Sequence, residues 1–360
     1  MKSKLLAGLF LLAGVGIGWF LGEGQKASPR IEPVQVKKVE AKPAAKSRVE
    51  SLSIPALNEW TDRYADGKEG DVRFFNLTRL MKDYKLTRLE AVEVQNTYRD
   101  LTRAENGTRG DAVLQKAIDL VKAGKLESGI DAKALAQAPF IVVFDLDETL
   151  YDQYYSDGEN CHQFKYEQPN GKMKYIQPAP GWEKTIKGIV DLGGKVIIFS
   201  ANLDDRTIRN LENMTLDGVP LTESKYISGV MTNSHLIQQE KTEPPGSADK
   251  PRKGRPVLEP SKDLRHFDPS LERVIIVDDN PLRLFQYRNA RIFKKFHADE
   301  YCKTNDADLR TGWDKAMSTV LEEVKDSVNF MKLRPGTTFV QAYLPYTQLG
   351  RVTLDFILDA

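Results

Sequence analysis

Cysteine is nearly missing from this chain: there are two in 360 residues, Cys161 and Cys302. Two thiols cannot build a disulfide scaffold or a four-cysteine zinc site. They suffice for one disulfide in an oxidising compartment, or for a pair of free buried thiols. An excess of either charge is missing too. Lys and Arg number 52 against 51 Asp and Glu, a formal net charge of +1. That balance gives no electrostatic ground for nucleic acid as the main partner. Long apolar runs are absent except for one at the amino terminus, which excludes a polytopic membrane protein. Hydrophobic residues at 41% and charged residues at 29% exclude wholesale disorder and a collagen-like chain. At roughly 100–200 residues per domain, the length predicts two compact units, or one large unit with appendages.

The one long apolar run extends from Leu5 to Leu21, behind Lys2 and Lys4. As a helix it would span about 26 Å, near the lower limit for crossing a bilayer. Residues 1–22 read as a signal anchor or a signal peptide. The uninterrupted length and Trp19 near the far end suit an anchor. Gly22-Glu23-Gly24 is a poor cleavage site. The basic residues ahead of the run place the amino terminus in the cytoplasm and the body in the periplasm or extracellular space. Residues 23–50 hold Pro29, Pro33 and Pro43 and an excess of Lys and Arg, without periodicity. They read as an extended tether.

Residues 51–137 read as a helical subdomain, with Leu89, Val92 and Leu101 at helix-like spacing and charges between them. From 138 to 332 the pattern changes. Phe140-Ile141-Val142-Val143-Phe144, Lys195 to Phe199 and Arg273 to Val277 are continuous apolar runs rich in β-branched residues, separated by helical stretches. That pattern predicts an α/β domain: a Rossmann-like parallel sheet with helices on both faces. Tyr151 to Pro180 is too short for a large helical cap, and Asn170-Gly171 marks a hairpin flap there. Residues 240–256 are rich in Pro, Gly and basic side chains and read as a surface loop. Residues 333–360 are apolar and β-prone, a tail that could add to the sheet, cover the helical subdomain or dock on a partner.

Each of the three strands ends in polar residues: Asp145-Leu146-Asp147-Glu148-Thr149, Ser200-Ala201-Asn202 and Asp278-Asp279-Asn280. Ligands of open α/β sheets bind at the carboxyl ends of the strands, so these groups share one rim. Converging carboxylates repel one another, and oxygen-only donors point to a hard cation such as Mg²⁺. Lys262, just before the third strand, adds a positive charge. A carboxylate there can also act as a nucleophile.

At these residues the sequence resembles the haloacid dehalogenase superfamily of phosphohydrolases. The resemblance rests on VVFDLDETL, VIIFS, Lys262 in SKDL and VIIVDDNP. KDL followed by VIIVDDNP is similar to the carboxy-terminal-domain phosphatase group, which has a short cap. The tether and FDLDET are similar to secreted bacterial acid phosphatases of the superfamily. The resemblance implies a phosphatase with Asp145 as nucleophile and Asp147 as general acid and base. It implies Mg²⁺ held among Asp145, the backbone carbonyl of Asp147, Asp278 and Asp279, with Asp279 as the fourth-motif ligand and Asp278 orienting it or the lysine. Ser200, Asn202 and Lys262 would bind the phosphoryl group, and Thr149 is counted with them as the residue that holds the loop. The substrate would be a phosphorylated small molecule or a phosphoprotein. A non-catalytic binding scaffold and a phosphotransferase using the same intermediate are the alternatives. Every motif position is filled, which argues for an enzyme.

Overall fold

β1 (Ile141–Phe144) is a central strand of a five-stranded sheet in a computed structural model of the chain, which describes residues 77–104, 110–124, 128–154, 161–240, 258–284 and 286–351. β1 runs parallel to β5 (Lys195–Phe199) on one side and β11 (Val274–Asp278) on the other. The sheet order is β12-β11-β1-β5-β8, completed by β12 (Ala290–Ile292) and β8 (Val230–Met231). Successive side chains of a strand point to opposite faces. Val142 and Phe144 enter one apolar cluster and Ile141 and Val143 another. Both faces of the sheet are therefore covered, which is why its strands read as unbroken apolar runs.

The first face carries α5 (Trp182–Asp191), α8 (Ala307–Leu333) and α9 (Phe339–Tyr343), through Ile186, Val320 and Phe339 among others. The second carries α2 (Arg88–Ala104) and α4 (Ala132–Gln137), through Leu89 and Leu135. α1 (Leu77–Tyr84) and α3 (Asp111–Lys122) join α2 in a small cluster of their own that includes Ile237.

Between β1 and α5 lies a flap of three antiparallel strands in the order β2-β4-β3: β2 (Tyr151–Tyr154), β3 (Phe164–Glu167) and β4 (Met173–Pro178). The turn joining β3 to β4 contains Asn170-Gly171, with Gly171 at φ 76°, the left-handed region open to glycine. The two cysteines are joined. Cys161, just ahead of β3, is disulfide-bonded to Cys302 of α7 (Ala298–Lys303), with the Cα atoms 5.5 Å apart.

The tail differs from its β-prone reading. Phe339–Tyr343 is a helix, followed by a 3-10 turn at Leu344–Tyr346. Thr338 and Gln341 form a capping box, Thr338 N–H donating to Gln341 Oε1 at 2.9 Å and Gln341 N–H to Thr338 Oγ1 at 3.3 Å. Phe339, Val340 and Tyr343 are all buried. Phe339 stacks on Phe140 at 4.6 Å, and Tyr343 donates its hydroxyl to Glu323 Oε2 at 2.7 Å. Glu323 is also gripped by Arg291, from Nε at 3.0 Å and Nη2 at 2.9 Å. Local capping and burial of a helical face outweigh the β propensity of these residues.

The anchor at 1–22, the tether at 23–50, residues 51–76 of the helical subdomain, most of the 240–256 loop and residues 352–360 lie outside the described residues. Among the described residues no helix is long and apolar enough to cross a membrane.

Candidate active site

The parallel registers of β1, β5 and β11 bring their carboxyl ends to one rim, where Asp145, Ser200 and Asp278 follow or close the strands. Lys262 follows β10 (Leu258–Ser261) and is 1% exposed. Its ammonium donates to Asp145 Oδ1, and to Asp278 Oδ2 at 2.6 Å. Burial alone would lower the Lys262 ammonium, but Asp145 and Asp278 overcome it and hold it above its ordinary value. Lys262 is thus a fixed positive charge at neutral pH. Burial raises the Asp145 carboxyl well above its ordinary value, and the charges of Asp278 and Asp147 add to this against the pull of Lys262.

Asp145, Asp278 and Asp279 each offer one carboxylate oxygen, and the three oxygens lie within 4.8 Å of one another. Asp278 takes Lys262 on Oδ2 and the Asn280 N–H on Oδ1, the latter at 2.8 Å. The Asp279 carboxyl is raised by burial and by Asp278. One ammonium does not balance three clustered carboxylates, and the donors are all hard oxygens. The set fits Mg²⁺.

Thr149, read as the residue that holds the loop and counted with the phosphoryl contacts, is fully buried. Its hydroxyl donates to Asp279 Oδ1 at 3.1 Å and accepts the Asp279 N–H at 3.0 Å. It ties the first loop to the fourth-motif acid and has no hydroxyl contact left for phosphate.

The Asp147 carboxylate lies outside the three-acid cluster. It accepts from Ser200 Oγ at 3.2 Å, from Asn202 Nδ2 at 3.3 Å and from Gln153 Nε2 at 2.7 Å. Ser200 and Asn202 are therefore gathered at the site, turned toward Asp147. Glu148, directly after Asp147, takes φ 61°, a left-handed conformation that bends the chain here. It is paired with Lys295, which also lies 4.0 Å from Asp279 Oδ2.

Gln153 was not foreseen in the sequence. It sits on a flap strand, and no local spacing marks it. Lys174 on β4 is likewise new: it is 1% exposed, and burial, then Arg206, pushes its ammonium down to about 8 despite Asp147.

The family model of NLI interacting factor-like phosphatases matches residues 140–330. The chain belongs to this family. The matched segment is a phosphatase domain of the haloacid dehalogenase superfamily, and its cluster of Asp145, Asp278 and Asp279 fits Mg²⁺ as the cofactor. Two solved structures are similar to it. One is a variant of the fission yeast RNA polymerase II CTD phosphatase Fcp1 bound to beryllium fluoride, with 15% identity, 56% of each chain covered and a TM-score of 0.32. The other is Fcp1, an essential RNA polymerase II CTD phosphatase, with 16% identity, 63% of this chain and 64% of that chain covered, and a TM-score of 0.32. The match thus spans less than two thirds of either chain. No curated protein matches the sequence.

Proposed function

We propose that this phosphatase hydrolyses phosphomonoesters through an aspartyl-phosphate on Asp145, that phosphoproteins are its substrates, and that it is tethered to a membrane with its body outside the cytoplasm. The observation that carries the chemical reading is Lys262 between Asp145 and Asp278, with Asp279 completing the carboxylate cluster.

In this reading a carboxylate oxygen of Asp145 attacks phosphorus. The bond to the leaving oxygen breaks, and Asp147 gives that oxygen its proton. Asp147 then takes a proton from the attacking water. The water oxygen bonds to phosphorus, the Asp145–phosphorus bond breaks, and inorganic phosphate leaves. Lys262, Ser200 and Asn202 hold the phosphoryl oxygens, and the lysine offsets their charge. Asp145, Asp279 and the Asp147 carbonyl would hold Mg²⁺, while Asp278 keeps Lys262 in place. Bound Mg²⁺ supplies charge neutralisation and orientation at the phosphoryl group.

The segment between the first strand and α5 is a three-stranded flap and not a helical cap, which supports a bulky phosphorylated chain as substrate. The Cys161–Cys302 disulfide supports an oxidising compartment. The apolar run Leu5 to Leu21 supports the tether.

The test is phosphate release from p-nitrophenyl phosphate with Mg²⁺, with EDTA and as Asp145→Asn. Activity should need both the metal and Asp145; activity surviving in Asp145→Asn would sink the reading. An added alcohol that collects phosphate in place of water would mark a phosphotransferase. Recovery of the chain in the soluble fraction of its cells would refute the tether.

A further inference from the structure

Helix α2 lies outside the family-matched residues 140–330, yet it reaches two loops of the site. Its start is set by a capping box. Thr87 N–H donates to Glu90 Oε2 at 2.7 Å, and Glu90 N–H to Thr87 Oγ1 at 3.2 Å. Arg88 follows at once, 6% exposed, with Nη2 at 2.7 Å from Asp263 Oδ2. Asp263 is the residue after Lys262 and is fully buried. Its carboxylate also accepts from Arg265 Nη2 at 2.7 Å, Gln286 Nε2 at 2.9 Å and the Arg265 N–H at 3.0 Å. The turn Leu264–His266 is wound around this one carboxylate.

Five residues on, about 7.5 Å along the helix, Glu93 is 0% exposed. It accepts from Ser128 Oγ and lies 3.4 Å from His235 Nε2. His235 Nδ1 accepts the Thr232 N–H at 3.1 Å. The same turn is fastened to the end of β5: Asn233 N–H donates to Asn202 O at 3.0 Å, and Asn233 Nδ2 to Ala201 O at 2.9 Å. A solvated helix face would leave Arg88 and Glu93 in water. Here both are buried, each against a loop that serves the rim.

We propose that α2 is a brace of the active site, in which Arg88 positions Lys262 and Glu93 positions Ser200 and Asn202, so that the catalytic unit begins well before the family-matched segment. The proposal rests on the reading of those three residues as phosphoryl contacts. Arg88 and Glu93 are positioning residues: neither touches the reacting atoms.

The test uses the full 360-residue chain in detergent, as wild type, Arg88→Met, Arg88→Lys, Glu93→Gln and Lys262→Met, with Tyr343→Phe as a control for lost stability away from the site. Each is assayed for kcat and KM on p-nitrophenyl phosphate, for inhibition by orthovanadate and for Tm. Arg88→Met should lower kcat on the order of 10²-fold, the scale expected when a remote change misplaces a catalytic group. KM should stay within about twofold, and vanadate, which mimics the five-coordinate phosphoryl group, should weaken in step with kcat/KM. Arg88→Lys should recover part of kcat, keeping the charge without the planar fork. If Arg88→Met does not fold, Arg88→Lys and Glu93→Gln carry the same comparison. Wild-type kcat and vanadate affinity in the Arg88 and Glu93 variants would overturn the brace, as would losses that follow Tm along the line set by Tyr343→Phe. An inactive wild type, or a fully active Lys262→Met, would instead overturn the reading of the site itself.

Discussion

Gln153 donates its Nε2–H to Asp147 Oδ1 at 2.7 Å, so a strand of the flap holds an acid of the rim. Gln153 Oε1 accepts from Asn210 Nδ2 at 3.0 Å, and Asn210 Oδ1 accepts from the Tyr166 hydroxyl at 2.6 Å. The chain of bonds runs from β3 through α6 (Asp204–Asn213) to Asp147. Gln153→Leu should impair proton delivery more than attack on phosphorus. We expect kcat/KM to fall about tenfold or more on an alkyl phosphate such as phosphoserine, within the range of a general-acid contribution. The fall should be much smaller on p-nitrophenyl phosphate, whose leaving group needs no proton. Equal losses on both substrates would refute this role.

Lys262 is the ammonium between Asp145 and Asp278, and removing it leaves two carboxylates buried side by side. Lys262→Met should lose about 10²–10³ in kcat, as for a lost charge-stabilising donor. Without metal it should also lose stability, on the scale of about 3–5 kcal/mol for breaking a buried pair. Mg²⁺ returns positive charge to the same place. The rise in Tm on adding MgCl₂ after EDTA should therefore be larger in Lys262→Met than in wild type. A smaller rise would count against a shared electrostatic role.

Lys174 is a cation whose burial is costly, its ammonium lowered to about 8. Below that pH it is charged in both the folded and the unfolded chain, and the burial cost is in full force. Between about 8 and its ordinary value the unfolded chain holds more protons, so the native state gains stability as pH rises. Lys174→Met removes this titration. The difference in Tm between Lys174→Met and wild type should move in favour of wild type from pH 7.5 to pH 10. A difference independent of pH would show that Lys174 titrates normally.

Tyr343 fastens the carboxy-terminal helix to Glu323, and burial keeps its hydroxyl protonated well past the ordinary range. Tyr343→Phe deletes one donor to a buried carboxylate. A loss of about 1–3 kcal/mol in urea unfolding is expected, with kcat unchanged. An unchanged midpoint would mean that Arg291 and Arg351 satisfy Glu323 without the hydroxyl.

The sheet and rim could be read from the chain because their signals are local. Unbroken β-branched runs announced β1, β5 and β11, and the polar residues behind them followed directly. Asn170-Gly171 announced the hairpin by the same logic. What escaped depends on contacts far apart in sequence. The pairing of Arg88 with Asp263 leaves no trace in either local segment, and the two cysteines left one disulfide and a pair of free thiols both open until their approach decided it. Thr149 closes the first motif, and only the approach of Asp279 shows which group its hydroxyl meets. The tail misled because Phe, Val and Tyr favour strands until a capping box and a partner such as Glu323 select a helix.

The disulfide closes residues 161 to 302 into a covalent ring. Ser200, Lys262 and the Asp278-Asp279 pair lie inside it, and Asp145 and Asp147 lie on the incoming arm. A single cut by a protease within the ring opens it without releasing a fragment. On a denaturing gel such a cut molecule migrates as one full-mass species until a reductant parts it into two. A backbone cut between Ser200 and Lys262 would therefore leave the two halves of the site joined, and able to refold as one molecule.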